Sequence, residues 1–281
     1  MSISMAKLKT KHLNFGYLLD SETKTEKLTS LAYQKPLQVL DESTKFFMGT
    51  LNYALDLYDK LPNGTHKNYC QYYLTTGNAV LHIIRCCRMC LLYGYYGAIS
   101  IFIRVFTNYL RLAIYVYHHP EEAKALLDEQ ETTFKEDKKF KSKFHEQGLK
   151  DELKKLGYQP IDEQDTFAKI THGSVWSAQV FGYKESDMEP DTYHLNYGPQ
   201  YSNLQSSTLL SFILVIPADF PQYFVQYVCQ NQLGEWKTLL QSYREVDKNV
   251  SLTIEALENA YQFIAHAPPE LKELFAKKVK S

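Results

Sequence analysis

Arg104, Asn108, Arg111, Tyr115 and His118 follow one another at steps of four, three, four and three residues within FIRVFTNYLRLAIYVYHH. On a helix advancing about 100° per residue, the last four return to within about 40° of Arg104. Arginine presents a planar fork of donors that meets phosphate or carboxylate two bonds at a time. Histidine changes charge near neutral pH and so takes or gives protons. The chemistry open to this row is anion capture. Arg104 would grip the anion with Asn108 and Tyr115 beside it, while Arg111 and His118 would pair a charge-stabilising cation with a proton carrier. His172, further along the chain, would serve as a second proton carrier if its helix approaches the row.

The rest of this helix is almost wholly apolar: Ile99, Phe102, Ile103, Val105, Phe106, Leu110, Ala113, Ile114 and Val116 surround the row. An ordinary surface helix has an apolar stripe and a broad wet face, so these proportions are inverted and imply a helix enclosed on most sides. Two readings follow. In one, the row lines a groove for an anion. In the other, it is the sliver of an inner helix that meets water, or its arginines pair with carboxylates from neighbouring helices, as buried charges generally do.

Helices must hold these residues. Apolar positions at three- and four-residue steps predict a helix from Pro36 to Leu61, closed by Pro62-Asn63-Gly64, and a second from about Asn68 to Tyr93. The arginine-bearing helix follows from about Ala98 to His118, and Pro120 with Glu121 and Glu122 starts another. Lys135–Lys143 reads as a charged connector, with helices expected at about 142–156 and from Asp162 to about Phe181. The non-periodic stretch from Gly182 to Asn203 carries Tyr193, His194, Tyr197 and Tyr201 and suits a lid, with Tyr197 facing a ligand. A long helix kinked or broken at Pro217 and Pro221, one from about Val250 to Ala267 and a short terminal one complete an all-α fold of eight to ten helices. Residues 1–34 read as a loosely structured segment. Residues 35–281 read as one helical domain, with a core at 66–181 and C-terminal helices at 202–281.

Composition narrows the function. The 281 residues are long enough to bury a substantial core. A formal charge of −1 gives no global pull toward nucleic acid or anionic lipid, so an RNA-binding role must rest on a local patch. Five cysteines, three of them in Cys86-Cys87-Arg88-Met89-Cys90, read as reduced thiols in a cytoplasmic setting. His82, Cys86 and Cys90 share a side of one helix but have no second ligand pair elsewhere. Thiols packed as small hydrophobes are expected rather than a metal site, and no phosphate loop or cofactor motif is present. The most apolar window, from Leu209, holds Asp219 and two prolines, which favours a packed helix over a membrane span.

The segment YYGAISIFIRVFTNYLRLAIYVYHHPEEAKALL, followed some fifty residues on by DTFAKITHGSVWS, resembles a family of uncharacterised helical proteins of prokaryotes. That family places an Arg and a Glu one turn apart on a hydrophobic helix, then a Pro-Glu helix start and a late Ser-x-x-x-His. Arg104 stands at the Arg and His172 at the late His, whereas Asn108 replaces the Glu and Ile170–Thr171 replaces much of the Ser-led signal. More broadly the chain is similar to HEPN-type helical domains, many of which are metal-independent ribonucleases with an Arg-x4–6-His signature. Arg111 and His118 have that spacing. The resemblance implies a HEPN-like core acting on or binding RNA or nucleotides in prokaryotic stress or antiviral defence, without a cofactor. The alternative is a non-catalytic helical interaction or scaffold protein whose arginines form a structural ion-pair network. RNA or a nucleotide, a protein, or a second copy of the chain as a homodimer are the expected partners, and a membrane is not.

Overall fold

The computed structural model describes residues 15–128, 146–158, 183–185, 193–195 and 203–266. His172, Tyr197, the connector Lys135–Lys143, the helix expected from Asp162 and the terminal helix lie outside them. Among the described residues there are eight α-helices: α1 (Phe15–Ala32), α2 (Gln34–Lys60), α3 (Thr65–Tyr93), α4 (Tyr96–His118), α5 (Ala123–Asp128), α6 (Glu146–Lys155), α7 (Asn203–Gln230) and α8 (Trp236–His266). A 3-10 turn at Pro120–Glu122 leads into α5, with proline at its start, where a missing N–H costs nothing. Within the stretch read as irregular, β1 (Tyr183–Glu185) and β2 (Tyr193–Leu195) pair antiparallel, Tyr183 opposite Leu195. The elements of the described residues are otherwise helical.

α7 is the hub, packing against α2, α3, α4 and α8. Leu210, Ile213, Leu214, Phe224, Val225 and Val228 on it are fully buried. Each such side chain removed from water contributes about 1.5–3 kcal/mol, enough to carry the helix unbroken through Pro217 and Pro221 despite their missing donors. The expected break is therefore absent. Against α3 it forms an antiparallel aromatic ladder. Tyr73 stacks on Phe224 at 4.1 Å and on Phe220 at 5.7 Å, and Tyr69 stacks on Tyr227 at 3.7 Å. His66 ends the ladder, its Nδ1 2.6 Å from the Tyr227 hydroxyl.

The connections explain the remaining shape. Gly94 sits in the left-handed region (φ 79°) and closes α3, its N–H and that of Tyr95 bonding back to Leu91 and Cys90 carbonyls. Arg88 of α3 grips Asp41 of α2 through two bonds, 2.7 and 2.9 Å. Residues 15–32, expected to be loose, form a helix that packs on α3. Its buried positions include Thr25 and Thr29 rather than large apolar residues, which hides its amphipathic pattern from the sequence. The Tyr95 hydroxyl donates to Glu22 and clasps α1 to the α3–α4 junction.

Candidate functional site

α4 is pinned at both ends. The Tyr96 hydroxyl meets Ser206 Oγ of α7 at 2.7 Å, and the His119 N–H closes the last turn on the Tyr115 carbonyl at 2.9 Å. Between these points the arginine row does not form an open cationic seam. Arg111 is 4% exposed, and its Nη1 donates to Asn108 Oδ1 at 3.2 Å, one turn back on the same helix. Tyr115 is 2% exposed, its ring 4.7 Å from that of His119. Arg104 and Asn108 are half-buried, and both arginines have interaction partners. The exposed large apolar side chains described on α4 are Ile101 and Val105, 42% and 41% exposed. The polar row thus turns inward at Arg111 and Tyr115, while Ile101 and Val105 meet the surface.

His118 ends the row outside. It is exposed, its Nε2 lies 2.9 Å from the Tyr158 hydroxyl just past α6, and its ring stands edge-on to Tyr117. Seven residues separate it from Arg111, about 10.5 Å along the axis. Partial burial first, and the neighbouring His119 second, hold its pKa below the ordinary imidazole value. Both causes favour its neutral form.

A second set of groups extends from this end of α4 across α7. Asp219, Tyr223, Gln226 and Gln230 recur at four, three and four residues and form a partly open polar stripe along α7. On one side Tyr117 packs against Tyr223 at 5.8 Å and accepts a hydrogen bond from Gln230. On the other, Asp247 of α8 acts electrostatically on Asp219, and both act on Tyr243. Burial, with Asp247 adding to it, pushes the Asp219 carboxyl from 3.8 up to about 6. Burial likewise raises the phenols of Tyr158, Tyr223 and Tyr243. A cluster of displaced titrations is the physical mark of a low-dielectric polar site.

All these displacements favour neutral forms. This end of the bundle offers phenol donors, a neutral imidazole and a carboxyl that exchanges its proton near neutrality, rather than a cation for phosphate. Of the expected site residues, the structure joins Asn108 to Arg111 and leaves His118 with Tyr158. The sequence reading did not single out Tyr117, Tyr158, Tyr223, Tyr243 or Asp247 as site residues. Asp219 was visible as the sole charge in the most apolar window, the one signal in the sequence that could have led to the stripe.

Two helices, Tyr96–His118 and Ser206–Gln230, are long and apolar enough to cross a membrane by length and composition, with 53% and 56% of their windows buried inside the bundle. The five cysteines are free thiols, Cys70 and Cys87 in the core and Cys86, Cys90 and Cys229 half-buried. Among the described residues no group of three or more His, Cys, Asp or Glu side chains gathers to hold a metal ion. No protein-family model, curated protein or solved structure matches this chain.

Proposed function

We propose that this chain is a non-catalytic helical interaction protein in which the arginine row is a structural network. The observation that carries this reading is the burial of Arg111, which is 4% exposed and whose guanidinium is hydrogen-bonded to Asn108. A cation that is to grip a phosphate must be reachable by it, and one sealed in a core is held for packing and internal pairing. Ile101 and Val105, one turn apart on the surface of the same helix, are the kind of exposed apolar pair a protein partner covers. The test is incubation of the full chain with a mixed-sequence RNA in excess chelator. The expected result is RNA as intact as in buffer alone. Cleavage that disappears in a folded His118→Ala variant would overturn the reading.

His118 favours a second reading, a HEPN-like metal-independent ribonuclease. An exposed imidazole whose neutral form is favoured, held by the Tyr158 hydroxyl at 2.9 Å, has the setting of a general base. On that reading Arg104 and Arg111 bind the phosphate, and the same assay gives cleavage that both Arg111→Ala and His118→Ala abolish.

A further inference from the structure

The C-terminal part of α3 carries chemistry that neither reading uses. Cys86 and Cys90 stand four residues apart on a continuous helix, a spacing that brings Cβ atoms to about 5–6 Å. Both are free and half-buried, while Cys87 between them turns into the core and is fully buried. Each thiol lies within the other's electrostatic reach, since the charge of Cys86 acts on Cys90. The two cysteines lack the further ligands of a tetrahedral zinc site among the described residues.

A two-thiol set suits a thiophilic centre that is content with two sulfur ligands, and the surroundings choose among such centres. A bis-thiolate complex of a monovalent cation keeps a net negative charge, which half-buried sulfur resists. Burial also holds the Cys90 thiol above its usual range, which favours its neutral S–H form. A trivalent metalloid hydroxide needs no thiolate and leaves a neutral product.

We propose that Cys86 and Cys90 form a dithiol site for trivalent arsenic compounds, arsenous acid and monosubstituted arsonous acids. With R–As(OH)2 the two S–H bonds and two As–OH bonds break, two As–S bonds form and two waters leave. Arsenic remains trivalent, so neither oxidant nor reductant takes part. The product bridges one helical turn, between side chains that the fold already places on one face.

Phenylarsine oxide, which hydrates to the arsonous acid, is the probe, and intact-protein mass is the readout on the full chain. The expected result is one adduct that survives excess monothiol and is removed by 2,3-dimercaptopropanol. It should persist in Cys70→Ser, Cys87→Ala and Cys229→Ser and vanish in Cys86→Ser and Cys90→Ser. Circular dichroism checks that each variant keeps its helices, with Cys86→Ala and Cys90→Ala replacing a serine variant that unfolds. Absence of a monothiol-resistant adduct in the wild-type chain overturns the proposal. So does its persistence in a folded Cys86 or Cys90 variant.

Discussion

The imidazole of His118 and the hydroxyl of Tyr158 meet at 2.9 Å across forty residues of sequence and tie the end of α4 to the turn after α6. Burial and the adjacent His119 both disfavour the imidazolium. A proton-NMR titration is therefore expected to place the His118 midpoint below the ordinary value of about 6.5. His119→Gln should raise it by removing the second cause. A lowered folded pKa means that the unfolded chain binds its proton first as pH falls. The stability due to this group is thus present above about 6.5 and lost as pH falls toward the folded midpoint. Tyr158→Phe removes one exposed hydrogen bond and is expected to cost about 0.5 kcal/mol in denaturant titration.

Asp219 has the opposite sign. Its folded pKa is raised from 3.8 to about 6, so the folded chain holds the proton more tightly than the unfolded one. The resulting penalty is absent below about 3.8, grows as pH rises, and is complete above about 6. Asp219→Asn is expected to stabilise the protein by about 1–3 kcal/mol at pH 7.5 and to leave stability unchanged at pH 3.5. Paired melting curves at the two pH values check both the gain and its disappearance. Asp247→Asn, which removes the secondary cause, should give a smaller gain with the same pH dependence.

The α7–α8 turn tests the backbone. Gly234 lies in the left-handed region at φ 57°, and a Cβ there would stand 2.5 Å from the Tyr53 hydroxyl oxygen. That hydroxyl donates to the Leu233 carbonyl at 2.8 Å. Gly234→Ala is expected to destabilise by about 1–3 kcal/mol, combining the left-handed penalty with displacement of the bond. Gly49→Ala has nothing within 4 Å of its new methyl and sits in the interior of α2. It should stabilise by about 0.5–1 kcal/mol, measured by the same denaturant titration.

Helices α2, α3 and α4 were legible to within a few residues because apolar side chains recur on their buried faces and Pro62, Gly64 and Gly94 punctuate them. α1 was not, since its buried positions include the polar residues Thr25 and Thr29. α8 begins at Trp236, earlier than periodicity implied, because Leu239 and Tyr243 pack among polar neighbours that dilute the pattern. The shared face of the arginine row followed from helix geometry. Its direction did not, because which side α7 and α3 cover is a tertiary fact, and they leave Ile101 and Val105 at the surface. The stripe through Asp219 stayed hidden for the same reason. Its displaced titration comes first from burial under neighbouring helices and then from Asp247, twenty-eight residues away on the next helix.

The aromatic ladder gives a check on the core. Phe224 stacks on Tyr73 and is fully buried, so Phe224→Ala is expected to cost about 3–5 kcal/mol in chemical denaturation. Phe224→Leu keeps most of the volume and should cost appreciably less.

The most direct measurement follows the Arg111 side-chain Nε–H by nitrogen-15 NMR while a short single-stranded RNA is titrated into the folded chain. With Arg111 sealed in the core and bonded to Asn108, its resonance should exchange slowly with water and stay in place at every RNA concentration. A saturable shift of that resonance, matched by one at Arg104, would contradict the structural role assigned to the row.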